Sequence, residues 1–311
     1  MRIILIGRTR NLLNTAKLLI INGHKVVGVI TSKAPKEYKI NQTDFKNFAN
    51  ELKIPFLESA KINENNFFKT FKKNTPEIGV SVNYSSIISS KIVNFFPYGI
   101  LNAHGGDLPR YRGNACQAWA IINGEKKIGL CIHKMIGGEL DSGDIISRNF
   151  IRINSNTRIG LVYEKMEKII PALFLESINK LSSNKNYFLE KQSEEMNKSL
   201  RCYPRIEEDS RINWHKTNIE ILRLINASSE PYDGAFSFFR KRKIGFLRAK
   251  LVKDIEKWIG VPGQVSKIHK NGTIDILTGK GKINVSLIEI NGLKTKPIFF
   301  IKSIRTRFNN E

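Results

Sequence analysis

Three side chains of this 311-residue sequence make a set that could do chemistry together: Asn102, His104 and Asp141. Asn102 and His104 sit two apart behind an apolar run ending at Leu101, so on an extended backbone both point the same way. Gly105, Gly106 and Pro109 then bend the chain and leave backbone open to a ligand. Asp141 lies farther on, within Gly137-Gly138-Glu139-Leu140-Asp141-Ser142-Gly143. An imidazole with a pKa near neutrality takes or relays the proton of an attacking amine. A carboxylate beside it raises that pKa and orients the ring. A carboxamide donates to the oxyanion of a tetrahedral intermediate, a contact worth about 3 kcal/mol. The set is therefore suited to acyl transfer onto an amine without a covalent nucleophile. No Ser or Cys is placed to serve as one, because Cys116 falls in a helical pattern. Singly, each residue has a plainer role: a hydrogen-bonding His, a turn Asn, an Asp closing a turn before Ser-Gly. Only the combination carries weight. His133, in the apolar run Leu130–Met135, reads as a partly buried strand residue, and His24 and His269 as turn or surface residues.

The elements that would position this set follow from hydrophobic periodicity. Arg2–Ile6, Lys25–Thr31, Ile54–Leu57 and Ile78–Val82 read as buried strands, alternating with helices near 11–22, 44–52 and 63–73. That alternation predicts a Rossmann-like, mostly parallel sheet in an α/β domain, with ligands beyond the carboxyl ends of its strands. The first strand is followed by a single Gly in Gly7-Arg8-Thr9-Arg10, with no G-x-G-x-x-G, so NAD or FAD is not expected. Two further strands flank the glycine-rich stretch between 128 and 150, and a long helix is expected over 158–181. The uneven polar stretch 183–210 reads as a linker between a domain at 1–182 and one at 211–311. The second domain offers short strands between turn signals at Pro262-Gly263, Asn271-Gly272, Gly279–Gly281 and Asn291-Gly292, which suggests a small, β-rich barrel or curled sheet.

Net charge is +23 with a pI near 9.9. The excess is diffuse: residues 207–311 carry 20 basic and 11 acidic side chains, and the first 206 carry 31 and 17. It suits a polyanionic partner without naming one. Arg240-Lys241-Arg242-Lys243 is the compact basic run, equally at home in a solvated turn. Three scattered cysteines without a CxxC pair predict neither disulfides nor a zinc site, and no metal is expected. The apolar start is too short for a signal peptide, so a cytoplasmic protein with no membrane partner is expected. A homodimer is left open.

The segments Asn102-Ala-His104, Leu108-Pro-Arg-Tyr-Arg-Gly113 and Gly138-Glu-Leu-Asp-Ser-Gly-Asp144 resemble the signature of the folate-dependent formyltransferases. That superfamily includes methionyl-tRNA, glycinamide ribonucleotide and nucleotide-sugar enzymes. The resemblance implies a catalytic trio of Asn102, His104 and Asp141 and N10-formyltetrahydrofolate as donor. It also implies a folate site lined by 79–88, with Tyr84 and Ile88 facing the pterin, and by the loop Met135–Asp141, including Gly138 and Leu140, through its backbone. Arg211-Ile-Asn-Trp214 and Pro231-Tyr-Asp-Gly-Ala-Phe236 resemble the start of the family's C-terminal OB-like domain.

Two departures from the tRNA enzymes direct the acceptor assignment elsewhere. Ser32–Thr43 lacks the Gly-Arg-Gly-Lys-Lys-like loop those enzymes carry, and Gly-Asp-Leu-Pro109 stands where they have Ser-Leu-Leu-Pro. Asp107 could engage a sugar hydroxyl or a substrate ammonium, with a turn or capping role as its alternative. Arg8, Arg110 and Arg112 could meet a pyrophosphate, with Tyr111 beside them. These changes resemble the amino-sugar branch. The expected acceptor is thus a dTDP- or UDP-linked amino-deoxysugar destined for O-antigen or lipopolysaccharide, with methionyl-tRNA as the alternative. A catalytically silent folate- or RNA-binding relative would have no need of an intact trio.

Overall fold

The computed structural model describes residues 1–183, 187–253 and 256–309, so that 184–186 of the expected linker lie outside the described residues. By its internal contacts the chain divides into two compact units. The first comprises 1–116, 128–151 and 163–202, and the second comprises 117–127, 152–162 and 203–311.

The first unit runs β1 (Arg2–Gly7), α1 (Arg10–Ile21), β2 (Lys25–Thr31), α2 (Gln42–Glu51), β3 (Phe56–Glu58), α3 (Glu64–Phe71), β4 (Ile78–Val82), α4 (Ser90–Val93) and β5 (Ile100–His104). Then come β6 (Arg112–Gly113), α5 (Cys116–Ile122), which from Gln117 falls in the second unit, β7 (Lys127–Lys134), β8 (Ile145–Arg152), α6 (Ile159–Ser182), which belongs to the first unit from Tyr163, and β9 (Arg201–Cys202). Seven strands form one sheet in the order β3-β2-β1-β4-β5-β7-β8. The four pairings from β3 to β5 are parallel and β5 pairs antiparallel with β7, so the mostly parallel α/β sheet is present as expected. Ile3, Ile4, Leu5 and Ile6 of β1 have no solvent exposure, which is why this central strand reads as an unbroken apolar run. Phe67 of α3 meets Phe68, Phe71, Phe95 and Phe96 at ring-centroid distances of 5.3–6.0 Å, and this cluster packs one sheet face. The helix expected from 44 begins at Gln42 because Asn41 accepts from the Thr43 N–H while Asp44 accepts from the Asn41 N–H.

Residues 187–202, expected as linker, are instead knitted into the first unit. Glu190 exchanges backbone hydrogen bonds with Ile145, and β9 pairs in parallel with β6. Within it Gln192 bonds the carbonyls of Asp141 and Gly143 and Glu190 bonds Arg148, contacts that a composition-based reading takes for solvation.

In the second unit, α7 (Asn218–Ala227) starts at a Thr217–Glu220 capping box and packs on a six-stranded antiparallel sheet. Its strands are β10 (Ala235–Phe239), β11 (Arg242–Leu251), β12 (Val265–Ile268), β13 (Ile274–Leu277), β14 (Lys282–Ile290) and β15 (Leu293–Thr295). The path runs β10-β11-β14-β13-β12, with β15 on β14. Asn309 then bridges Phe238 and Arg307 bridges Gln264, so the terminal segment ties β10 to the start of β12 and curls the sheet around its core. Trp214 sits in that core against Phe246 and Phe308, its indole N–H donating to Ser237 Oγ at 2.9 Å. Among the described residues no helix is long and apolar enough to cross a membrane.

Candidate active site

β5 ends at His104, so the strand delivers Asn102 and His104 to the carboxyl edge of the sheet. Antiparallel pairing with β7 sets Asn102 opposite His133 and His104 opposite Cys131. The Asn102 amide nitrogen lies 3.1 Å from His133 Nε2, and His133 Nδ1 lies 3.0 Å from the Lys134 carbonyl. A carbonyl only accepts, so His133 carries its proton on Nδ1 and turns its Nε2 lone pair toward the Asn102 N–H. One N–H of Asn102 is held in this way, which fixes the amide's orientation and leaves its second N–H for a ligand.

His104 is 8% exposed. Its Nε2 donates to the Tyr111 carbonyl at 2.6 Å, and its Nδ1 lies 3.4 Å from Asp141 Oδ2. Gly106 is required here: a Cβ at that position would lie 2.5 Å from His104 Nε2 and 2.2 Å from the Tyr111 oxygen. Tyr111 and Asp141 both hold left-handed backbone angles, at φ 55° and 52°, a conformation that non-glycine residues adopt only where surroundings impose it.

Asp141 closes the cluster. Oδ2 accepts the Gly113 N–H at 3.0 Å, and Oδ1 lies 3.6 Å from His133 Nε2. Burial works against the carboxylate's charge, but His104, His133 and the Gly113 N–H outweigh it and hold the pKa down at about 2. For His104 burial is the larger effect and lowers the imidazole pKa, against the opposing pull of Asp141 and the Tyr111 carbonyl. The ring is therefore a neutral base at pH 7, with Nε2–H committed to Tyr111 and Nδ1 open to a proton that Asp141 would stabilise.

The structure thus brings Asn102, His104 and Asp141 together and adds His133, which a reading of one strand alone passes over. What singles it out is the register: on the antiparallel neighbour β7, the residue opposite Asn102 shares its face. Tyr84, Ile88 and Met135 also meet, packed in one apolar cluster, and the Gly138 N–H donates to the Ile88 carbonyl. Leu140 is partly buried on the same loop. Among the described residues no group of His, Cys, Asp or Glu is arranged to hold a metal ion.

The residues expected to meet substrate have partners of their own. Asp107 pairs with Arg148, whose guanidinium also bonds Glu190 at 2.6 Å and the Leu108 carbonyl at 2.8 Å. Arg8 donates to the carbonyls of Asn83 and Lys33 and lies over the Tyr38 ring. Arg110 lies over the Tyr111 ring. Arg112 donates to Gln192 while its buried Nε finds no hydrogen-bond acceptor.

Residues 1–178 match the formyl transferase family model, and residues 206–302 match the model of the formyl transferase C-terminal domain. The methionyl-tRNA formyltransferase of Pelotomaculum thermopropionicum is 29% identical over 299 residues, covering 94% of this chain and 92% of the relative. That of a Sulfurihydrogenibium species is 28% identical over 98% of this chain and 96% of its own length. Among solved structures, an N-formyltransferase from Helicobacter canadensis in complex with folinic acid and dTDP-3-aminofucose superposes with a TM-score of 0.69. It is 21% identical, covers 91% of this chain and 97% of that one, and shows a shared fold. The sequence relatives overturn the expectation of a nucleotide-linked amino sugar as acceptor, and with it the O-antigen and lipopolysaccharide role. Geometry agrees on one of its premises: the Asp107 carboxylate, offered to a sugar, is taken up by Arg148. By its residues 1–178 and 206–302, the chain belongs to the formyl transferase family.

Proposed function

We propose that this formyltransferase moves the formyl group of N10-formyltetrahydrofolate onto the α-amine of methionyl-tRNA, in the cytoplasm. The observation that carries this reading is similarity to methionyl-tRNA formyltransferases over 94–98% of the chain, both units included. A net charge of +23 supports an RNA acceptor, because cationic surface releases the counterions of a phosphate backbone. The three cysteines are free and buried, in keeping with a reducing compartment.

The folate fits what the site offers. Tyr84, Ile88 and Met135 supply an apolar wall for a flat ring, and Gly138, with open space around it, leaves loop backbone within reach of polar ring edges. When bound, the folate supplies the formyl carbon. His104 Nδ1 then takes the proton that the attacking amine sheds, Asp141 stabilises the imidazolium across 3.4 Å, and that proton passes to N10 as its bond to the formyl carbon breaks and tetrahydrofolate leaves. Asn102, its amide held by His133, turns its remaining N–H to the formyl oxygen as negative charge gathers there. Burial of His104 and Asp141 keeps water out of these contacts and strengthens them.

The test is formyl transfer from N10-formyltetrahydrofolate to methionyl-tRNA. Turnover is expected, with KM for the tRNA rising steeply between 50 and 200 mM salt, by ~10-fold or more. A protein that binds the folate and leaves methionyl-tRNA unformylated would overturn the acceptor assignment.

A further inference from the structure

Gln192 lies in the stretch whose composition suggested a linker, yet its amide reaches the middle of the site. Nε2 donates to the Asp141 carbonyl and to the Gly143 carbonyl, each at 2.8 Å, and Oε1 accepts from Arg112 Nη2 at 2.8 Å. A primary amide has two N–H donors, and both are spent on the loop that carries Asp141. That loop needs holding. Asp141 sits at φ 52°, and Gly143 is pressed against the Lys134 carbonyl, where a Cβ would lie at 1.8 Å. The third bond fixes Arg112, the neighbour of Gly113, whose N–H grips Asp141 Oδ2. One side chain thus clamps the Asp141 loop from its backbone and the opposing strand through Arg112. The clamp is itself anchored: Glu190 pairs with Ile145 through backbone and with Arg148 through its carboxylate, and the Leu200 carbonyl accepts the Arg112 N–H at 2.8 Å.

We propose that Gln192 is a positioning residue, which sets the Asp141 carboxylate at working distance from His104. It touches no reacting atom and acts through Asp141. The inference rests on the catalytic reading of Asn102, His104 and Asp141 given above.

The experiment is a double-mutant cycle between Gln192→Met, which keeps the length and removes every hydrogen bond, and Asp141→Asn. Gln192→Met is expected to lower kcat about 10-fold while KM for folate and for methionyl-tRNA changes less than about 3-fold. It also moves the acid limb of the kcat profile to lower pH. His104 is faced by Asp141, His133 and Arg112, and of these the carboxylate is the group that raises its proton affinity. In the Asp141→Asn background the same change costs less than about 2-fold, because the group it positions is already disabled. Equal losses in both backgrounds would mean a general structural role and overturn the inference, as would a Gln192→Met enzyme with wild-type kcat. Gln192→Glu keeps the acceptor for Arg112 and loses both donors, so it repeats the test if the Met variant does not fold. An Asp141→Asn enzyme with full activity would instead bring down the assignment of the site itself.

Discussion

Two carboxylates in glycine-rich stretches of the first unit end in opposite circumstances. Asp107 faces Arg148, a cation charged at every accessible pH, and the pair is shared with Glu190 at the partly open rim of the sheet. Asp141 faces two imidazoles and a backbone N–H, with only 9% of its side chain exposed. A guanidinium neutralises a carboxylate permanently and makes it structure. A buried imidazole can gain or lose its proton, so the carboxylate beside it governs a change of charge. The difference between scaffold and site lies in the partner, not in the acid.

The comparison breaks first at His104. His104→Ala is expected to lower kcat by ~10²-fold or more with an unchanged circular dichroism spectrum, because it removes the imidazole that Asp141 Oδ2 faces, while His133 Nε2 is taken up by the Asn102 amide. Wild-type turnover in that variant would return Asp141 to the same structural category as Asp107.

Acid sharpens it next. The His104 pKa is depressed by burial below its ordinary value of about 6.5, so kcat should hold through neutrality and fall about tenfold per pH unit on an acid limb below that value. Folding gives the same sign: the unfolded chain binds a proton on this His more readily, so stability declines as pH drops below about 6.5. The lowered pKa of Asp141 contributes stability that is present above its unfolded value of about 3.9 and is lost as pH falls toward about 2. A kcat profile whose acid limb lies above pH 6.5 would contradict the burial argument.

The smallest effects belong to the rim. Arg148→Met strands two carboxylates and a carbonyl and should cost about 2 kcal/mol in urea unfolding, between the surface and buried limits for such pairs. Asp107→Asn retains a hydrogen-bond acceptor in a side chain 30% exposed and should cost under about 1 kcal/mol. Neither change should move the acid limb. A shifted limb in Asp107→Asn would show that the two carboxylates communicate.

How much of this could be read from the residues alone depended on the distance between partners. The parallel strands announced themselves because β4 is buried along its whole length and β1 from Ile3 onward. Asn102 and His104 stood out because two positions on one face of a strand, followed by two glycines, marked a strand ending in a sharp bend. His133 did not, since its meaning depends on the β5–β7 register, which no local pattern contains. The partner of Asp107 was hidden for the same reason: its cation, Arg148, is 41 positions away. Residues 187–202 departed furthest from their composition, because polar side chains such as Gln192 and Glu190 that bond within the fold look the same as ones that bond to water.

The separation of Gln192 from its partners also has a consequence in time. It lies 51 positions beyond Asp141 and 80 beyond Arg112. A nascent chain that has already delivered Asn102, His104 and Asp141 from the ribosome still lacks the strand β9 and the amide that seat the loop. At about 5–20 residues per second, those pieces arrive roughly 3–12 seconds later. The N-terminal sheet can form early, but the catalytic geometry waits for β9, with residues 203–311 still to be translated.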